Sequence, residues 1–117
     1  MTYVDGVILP VPVANKDKYI ALAKQMAGVF RRFGAIKVIE IWGEDLPHGE
    51  VTSFPMAVKL EEGETVVMAM NIWPSKEARD KGWEQAMADP VFSGDGGDMP
   101  FDGKRMIFGE FETMIDA

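Results

Sequence analysis

The chain has 117 residues, enough for one two-layer core, and is expected to fold as a single domain over 1–117. Apolar residues make up 47% and charged residues 26%, the balance of a globular protein, and no apolar run approaches the roughly 18 residues of a membrane span. A formal net charge of −7 with scattered basic residues argues against nucleic-acid and membrane partners, and the absence of cysteine excludes disulfides, thiolate metal sites and thiol nucleophiles.

The first residues, Met1 to Gly6, carry an acid and no basic stretch, which does not fit a secretory signal, so the expected location is cytoplasmic. Val4 to Val11 reads as a strand limited by Pro10 and Pro12. Asn15 stands where a helix N-cap belongs, and Tyr19, Leu22, Ala23, Met26, Ala27, Phe30 and Phe33 recur at helical spacing behind it. This predicts a helix from about Lys16 to Phe33, with Gly34 placed for a left-handed C-terminus. Ala35 to Gly43 is rich in β-branched residues and predicts a second strand.

Glu44 to Pro55 is mainly loop, and Met56 to Leu60 is expected to be a short strand or extended edge. Thr65 to Trp73 is the third main strand. Ser75 then offers a hydroxyl cap to a helix reaching Ala88, stopped by Pro90. Val91 to Met99 is rich in glycine and aspartate and is read as a surface loop, and Lys104 to Glu112 as the last strand. The order βαββαβ predicts an α+β, ferredoxin-like fold: a four-stranded antiparallel sheet with two helices on one face.

Such a sheet should alternate apolar and polar residues, because only one face meets the helices. These strands carry apolar residues on both parities: Val66, Met68, Met70 and Ile72 on one, Val67, Ala69 and Trp73 on the other. The helix-free face therefore also needs a cover, and a second copy of the chain is the expected one. The parity with occasional polar groups, Asp5, Val7, Glu40, Trp42, Asn71 and Trp73, is assigned to that open face.

Tyr3 to Gly6, Phe33-Gly34-Ala35, Glu40 to Gly43, Glu64 to Val67, Trp73 to Lys76 and Met99 to Ile107 together resemble the YbaA-like family of small uncharacterised bacterial proteins. The resemblance spans nearly the whole chain and implies the dimeric α/β-barrel superfamily, in which two ferredoxin-like protomers pack their open sheet faces together. It implies no catalytic residue. It also implies a small residue where this chain has Glu110, so that a cavity reached by Glu110 would be more acidic here.

His48, the only histidine, lies in a predicted loop and reads as solvated, which disfavours haem ligation. Asp95, Asp98 and Asp102 lack the alternate-position pattern of a calcium loop, and no cofactor or metal is implied. The nine methionines read as adaptable core filling, or as a malleable cavity for a flat ligand. The best chemical constellation is Glu40 as a base of raised pKa and Asn71 as donor to a carbonyl or enolate oxygen. Asp5, Val7, Trp42 and Trp73 complete the candidate ligand-binding site. The sequence thus suggests a homodimer that binds a small apolar or aromatic molecule. The alternative is a cofactor-independent oxygenase or isomerase acting on a small carbonyl or aromatic substrate.

Overall fold

Tyr3–Pro12 forms strand β1 at the sheet interior, and its prolines sit where the sheet can tolerate them. The computed structural model describes residues 1–92 and 99–117. The last strand, β4 (Ile107–Glu112), pairs with β1 only from Tyr3 to Ile8, so Pro10 and Pro12 lie beyond the β4 ladder and break no pairing there. β2 (Lys37–Trp42) and β3 (Glu64–Trp73) complete an antiparallel sheet in the order β2-β3-β1-β4.

Helix α1 covers Lys16–Arg32 and ends as expected at Gly34. The amide of Gly34 donates to the Arg31 carbonyl and that of Ala35 to the Phe30 carbonyl, the paired bonds of a left-handed helix terminus, with φ +116° at Gly34. Asn15 does not cap the helix with its side chain. A short 3-10 turn over Val13–Asn15 precedes α1, and the Asn15 amide instead donates to the Pro100 carbonyl at 3.3 Å.

The segment expected as a short strand forms a four-residue helix, α2 (Phe54–Ala57), because the Ser53 hydroxyl accepts from the Met56 amide and caps it. Helix α3 (Lys76–Met87) is capped in the same way, with the Ala78 amide donating to Ser75 Oγ at 3.1 Å. Lys104 and Arg105 belong to a 3-10 turn ahead of β4 rather than to the strand. There the Arg105 guanidinium bonds both carboxylate oxygens of Glu64 at 2.7 and 2.8 Å and Asp102 at 2.9 Å, tying the turn to the start of β3. Of the loop read from Val91 to Met99, residues 93–98, including Asp95 and Asp98, lie outside the described residues.

The core lies between the sheet and the two long helices. One cluster gathers Leu9, Val11, Tyr19, Ala23 and Val67; a second gathers Val29, Phe30, Ala35, Trp73 and Ala86. The parity assignment is reversed. Glu40 is hydrogen-bonded to Tyr19 of α1, and Asp5 to Arg79 and Trp83 of α3. The cross-strand register, Asp5↔Asn71 and Asn71↔Val38, Val7↔Ala69 and Ala69↔Glu40, puts the whole set on the helix side. The helix-free face is instead built by Val4, Ile8, Ile39, Met68, Met70 and Phe111. Leu46 and Phe54 fold over its far end against Ile41, Val66 and Met68, and the remainder is open, with Phe111 58% exposed.

Candidate functional site

Between the sheet and the helices lies a chamber of about 280 Å³. Its floor is the helix-side parity of the strands, including Val7, Ala69 and Asn71. Its walls are aromatic and sulfur-rich: Phe30, Trp83, Phe101 and Phe108, with four of the nine methionines, Met26, Met87, Met99 and Met106. Such walls are polarisable and adapt to a flat ring. The polar groups among the lining residues are few: Tyr19, Glu40 and Asn71.

Tyr19 and Glu40 form the reactive-looking pair. The helical spacing of α1 aims Tyr19 at the sheet, and the pleat of β2 aims Glu40 at the helix. The Tyr19 hydroxyl donates to Glu40 Oε1. Burial pushes the Glu40 carboxyl above its ordinary value near 4.5, and the hydrogen bond from Tyr19 pulls it partly back. Burial, and then the adjoining carboxylate, raises the Tyr19 phenol, so Tyr19 stays protonated and serves as donor.

Two consequences are measurable. In Tyr19→Phe the carboxyl loses its donor, so the Glu40 pKa should rise further, a shift readable by carboxyl-carbon NMR titration. A carboxyl raised by folding binds its proton more tightly in the native state, so its contribution to stability falls as pH rises through 4.5 toward the folded-state pKa. Glu40→Gln keeps an acceptor for Tyr19 and should abolish this part of the stability–pH profile. Urea unfolding at pH 4 and pH 7 checks it, and an unchanged profile would contradict the assignment.

Asn71 sits diagonally from Glu40 on the neighbouring strand, a spacing of about 7 Å between such positions. Its Nδ2 donates to Asp5 Oδ2 at 3.3 Å, and because a carboxylate only accepts, the amide orientation is fixed. Among the described residues one N–H and the carbonyl oxygen are then left for other partners. Asp5 itself is fully buried and accepts from three further groups: Trp73 Nε1 at 2.8 Å, Trp83 Nε1 at 2.7 Å and Arg79 Nε at 2.8 Å. It is an organising anion behind the chamber rather than a ligand contact, and it holds the Trp83 ring in the wall.

The expected site residues therefore do come together, but not all in one place. Val7, Glu40 and Asn71 line the chamber. Trp42 lies outside it, on a neighbouring groove. Trp73 is wholly buried in the core, edge-on to Phe30, and cannot bracket a ligand. A Cβ at Gly82 would lie 2.3 Å from the Trp73 ring, so the indole occupies the space that this mid-helix glycine leaves free. Glu110 does not reach the chamber: it accepts from the Tyr3 hydroxyl and pairs with Arg79 at 3.3 Å. His48 is exposed.

Sequence reading missed Tyr19 and Trp83. Both were visible as the amphipathic members of apolar helix stripes, residues whose polar tips need partners when buried. Among the described residues no three potential metal-ligating side chains cluster, and no helix is long and apolar enough to cross a membrane.

The model of a family described as proteins of unknown function, DUF1428, matches residues 2–103, and the chain belongs to this family. The uncharacterized protein YbaA of Escherichia coli strain K12 is 49% identical over 116 residues, covering 99% of each chain. Among solved structures the fold is similar to SnoaB, a cofactor-independent oxygenase from Streptomyces nogalater, with a TM-score of 0.57 at 14% identity, covering 98% of this chain and 95% of that one. It is also similar to an EthD-family protein from Bacillus halodurans, with a TM-score of 0.56 at 18% identity, covering 97% and 100%. These likenesses show the ferredoxin-like α+β fold.

Proposed function

We propose that this member of the DUF1428 family is a cytoplasmic homodimer that binds a small planar apolar or aromatic molecule in the chamber between its sheet and helices. The observation that carries the reading is the chamber itself: an apolar, aromatic-walled space whose polar groups are Glu40, Tyr19 and Asn71, with one Asn71 N–H that no described residue accepts. A few placed polar groups in a mostly apolar cavity are what orient a small ligand. The site is within each protomer, not on the helix-free face where sequence reading put it.

N-Phenyl-1-naphthylamine, a neutral probe, should bind saturably with one site per chain and a rise in fluorescence. Ala69→Leu fills the chamber floor and should abolish binding while leaving the circular dichroism spectrum unchanged. Equal binding by a folded Ala69→Leu variant would refute the chamber as the site.

One feature favours a second reading, a cofactor-independent oxygenase or isomerase. Glu40 is a half-buried carboxyl of raised pKa, suited to removing a proton from an acidic phenol or carbonyl compound, and Asn71 would donate to the oxygen that gains charge. SnoaB supplies the reaction class as a precedent on this fold. With an electron-rich hydroxynaphthalene as substrate, cofactor-free oxygen uptake should fall about a hundredfold in Glu40→Gln, the usual loss when a general base is removed. Equal rates would leave the binding reading alone.

A further inference from the structure

Helix α1 carries a charge that the rest of the protein does not. It holds five cations, Lys16, Lys18, Lys24, Arg31 and Arg32, against the single acid Asp17, whereas the remaining sequence has seven cations against eighteen acids. Arg31 and Arg32 are engaged at the helix end, Arg31 by the Ile36 carbonyl and Arg32 by Asp89. Among the described residues neither Lys16 nor Lys24 forms an ion pair with a carboxylate.

Both lysines border a second cavity of about 290 Å³, a groove between α1 and the sheet edge formed by β2. Lys16, Ile20 and Lys24 follow one another at four-residue steps along its helical rim, so the backbone positions of the two lysines lie about two turns, about 12 Å, apart along the helix axis. Val38 and Trp42 form part of the opposite wall, and Lys16 Nζ lies 5.0 Å from the centre of the Trp42 ring. The groove meets the inner chamber at residues common to both: Tyr19, Ala27, Val38 and Glu40. Among the described residues Glu40 is the groove's only carboxyl, and it is held by the Tyr19 hydroxyl.

We infer that the groove is the anion-reading half of the ligand site and that the ligand is an aromatic acid: its ring passes Tyr19 and Glu40 toward the chamber, and its anionic group stays at the rim with Lys16 and Lys24. This rests on the chamber reading above and adds the ligand's charge. On a chain of net charge −7, a purely neutral ligand would give no use to two cations set beside an apolar groove, whereas an anion would be drawn to the one basic helix.

The test compares 8-anilinonaphthalene-1-sulfonate with N-phenyl-1-naphthylamine, which share a ring system and differ by the sulfonate. Only the fluorescence lost in Ala69→Leu is counted, which removes binding to the open sheet face. The sulfonate should bind at least about tenfold more tightly at low salt, with the advantage shrinking as salt rises. Lys16→Gln/Lys24→Gln should erase that advantage and leave the neutral probe unaffected. Equal affinities for the two probes, or a sulfonate preference that survives the double lysine substitution, would overturn the inference while the chamber reading stands. Failure of both probes to bind would overturn both.

Discussion

Replacing Asp5 with alanine is expected to lower the unfolding free energy by about 3–5 kcal/mol, the cost of removing one member of a buried ion pair. The size follows from what the carboxylate satisfies. Arg79, only 12% exposed at its side chain, would keep its charge without this partner, and the indole N–H groups of Trp73 and Trp83 would be left in the core. Each unsatisfied buried donor costs about 1–3 kcal/mol, partly relieved by water entering the space. Asp5→Asn should be milder, since the amide oxygen can still accept from the indoles. Urea unfolding monitored by tryptophan fluorescence measures both. A loss under 1 kcal/mol in Asp5→Ala would show that the cluster reorganises around other acceptors, such as Glu110, which already pairs with Arg79. The functional readout is separate: because Asp5 holds Trp83 in the chamber wall, Asp5→Asn should weaken probe binding even where the protein remains folded.

The second large effect concerns assembly. A homodimer closed through the helix-free face should weigh twice the 13.0 kDa of one chain in light scattering at micromolar concentration. Ile107 and Phe111 of β4 are 42% and 58% exposed, and a groove of about 540 Å³ joins them to Met68, Met70, Met114 and Ile115. A continuous apolar surface of this kind is uncommon on a monomer. Phe111→Asp would bury a charge at the seam and should raise the dimer dissociation constant about a hundredfold, the equivalent of losing one strong anchor of 2–3 kcal/mol. A wild-type mass of one chain across the micromolar range would remove the dimer, and with it the account of why both faces of the sheet are apolar. The candidate chamber lies on the other side of the sheet, so probe binding should survive Phe111→Asp, which separates assembly from ligand recognition.

The sequence by itself determined the four strands and the two long helices, though not the short helix α2. The stripe from Tyr19 to Phe33 specifies a helix because its apolar spacing, its cationic outer face and Gly34 all agree. Ser75 fixes the start of α3 through a single hydroxyl, a local bond that needs no tertiary partner. The ferredoxin-like order follows from these local signals, and so does the prospect that both sheet faces are covered. Glu40 and Asn71 were legible as the polar exceptions within apolar strands. Their surroundings were not.

Only the tertiary structure decided which face they occupy. Periodicity distinguishes the buried side of a strand when the other side is polar, and here both parities are apolar, so the pattern is degenerate. Polar residues within a strand point to an open face, but a polar group can be buried wherever partners from distant positions converge on it. Asp5 finds Asn71, Trp73, Arg79 and Trp83, all at least 66 positions away, and Glu40 finds Tyr19 across the helix–sheet layer. Those long-range hydrogen bonds turn the polar parity inward, leave the methionine-rich parity for an apolar partner, and set Glu40 at the junction of two cavities that no local pattern could reveal.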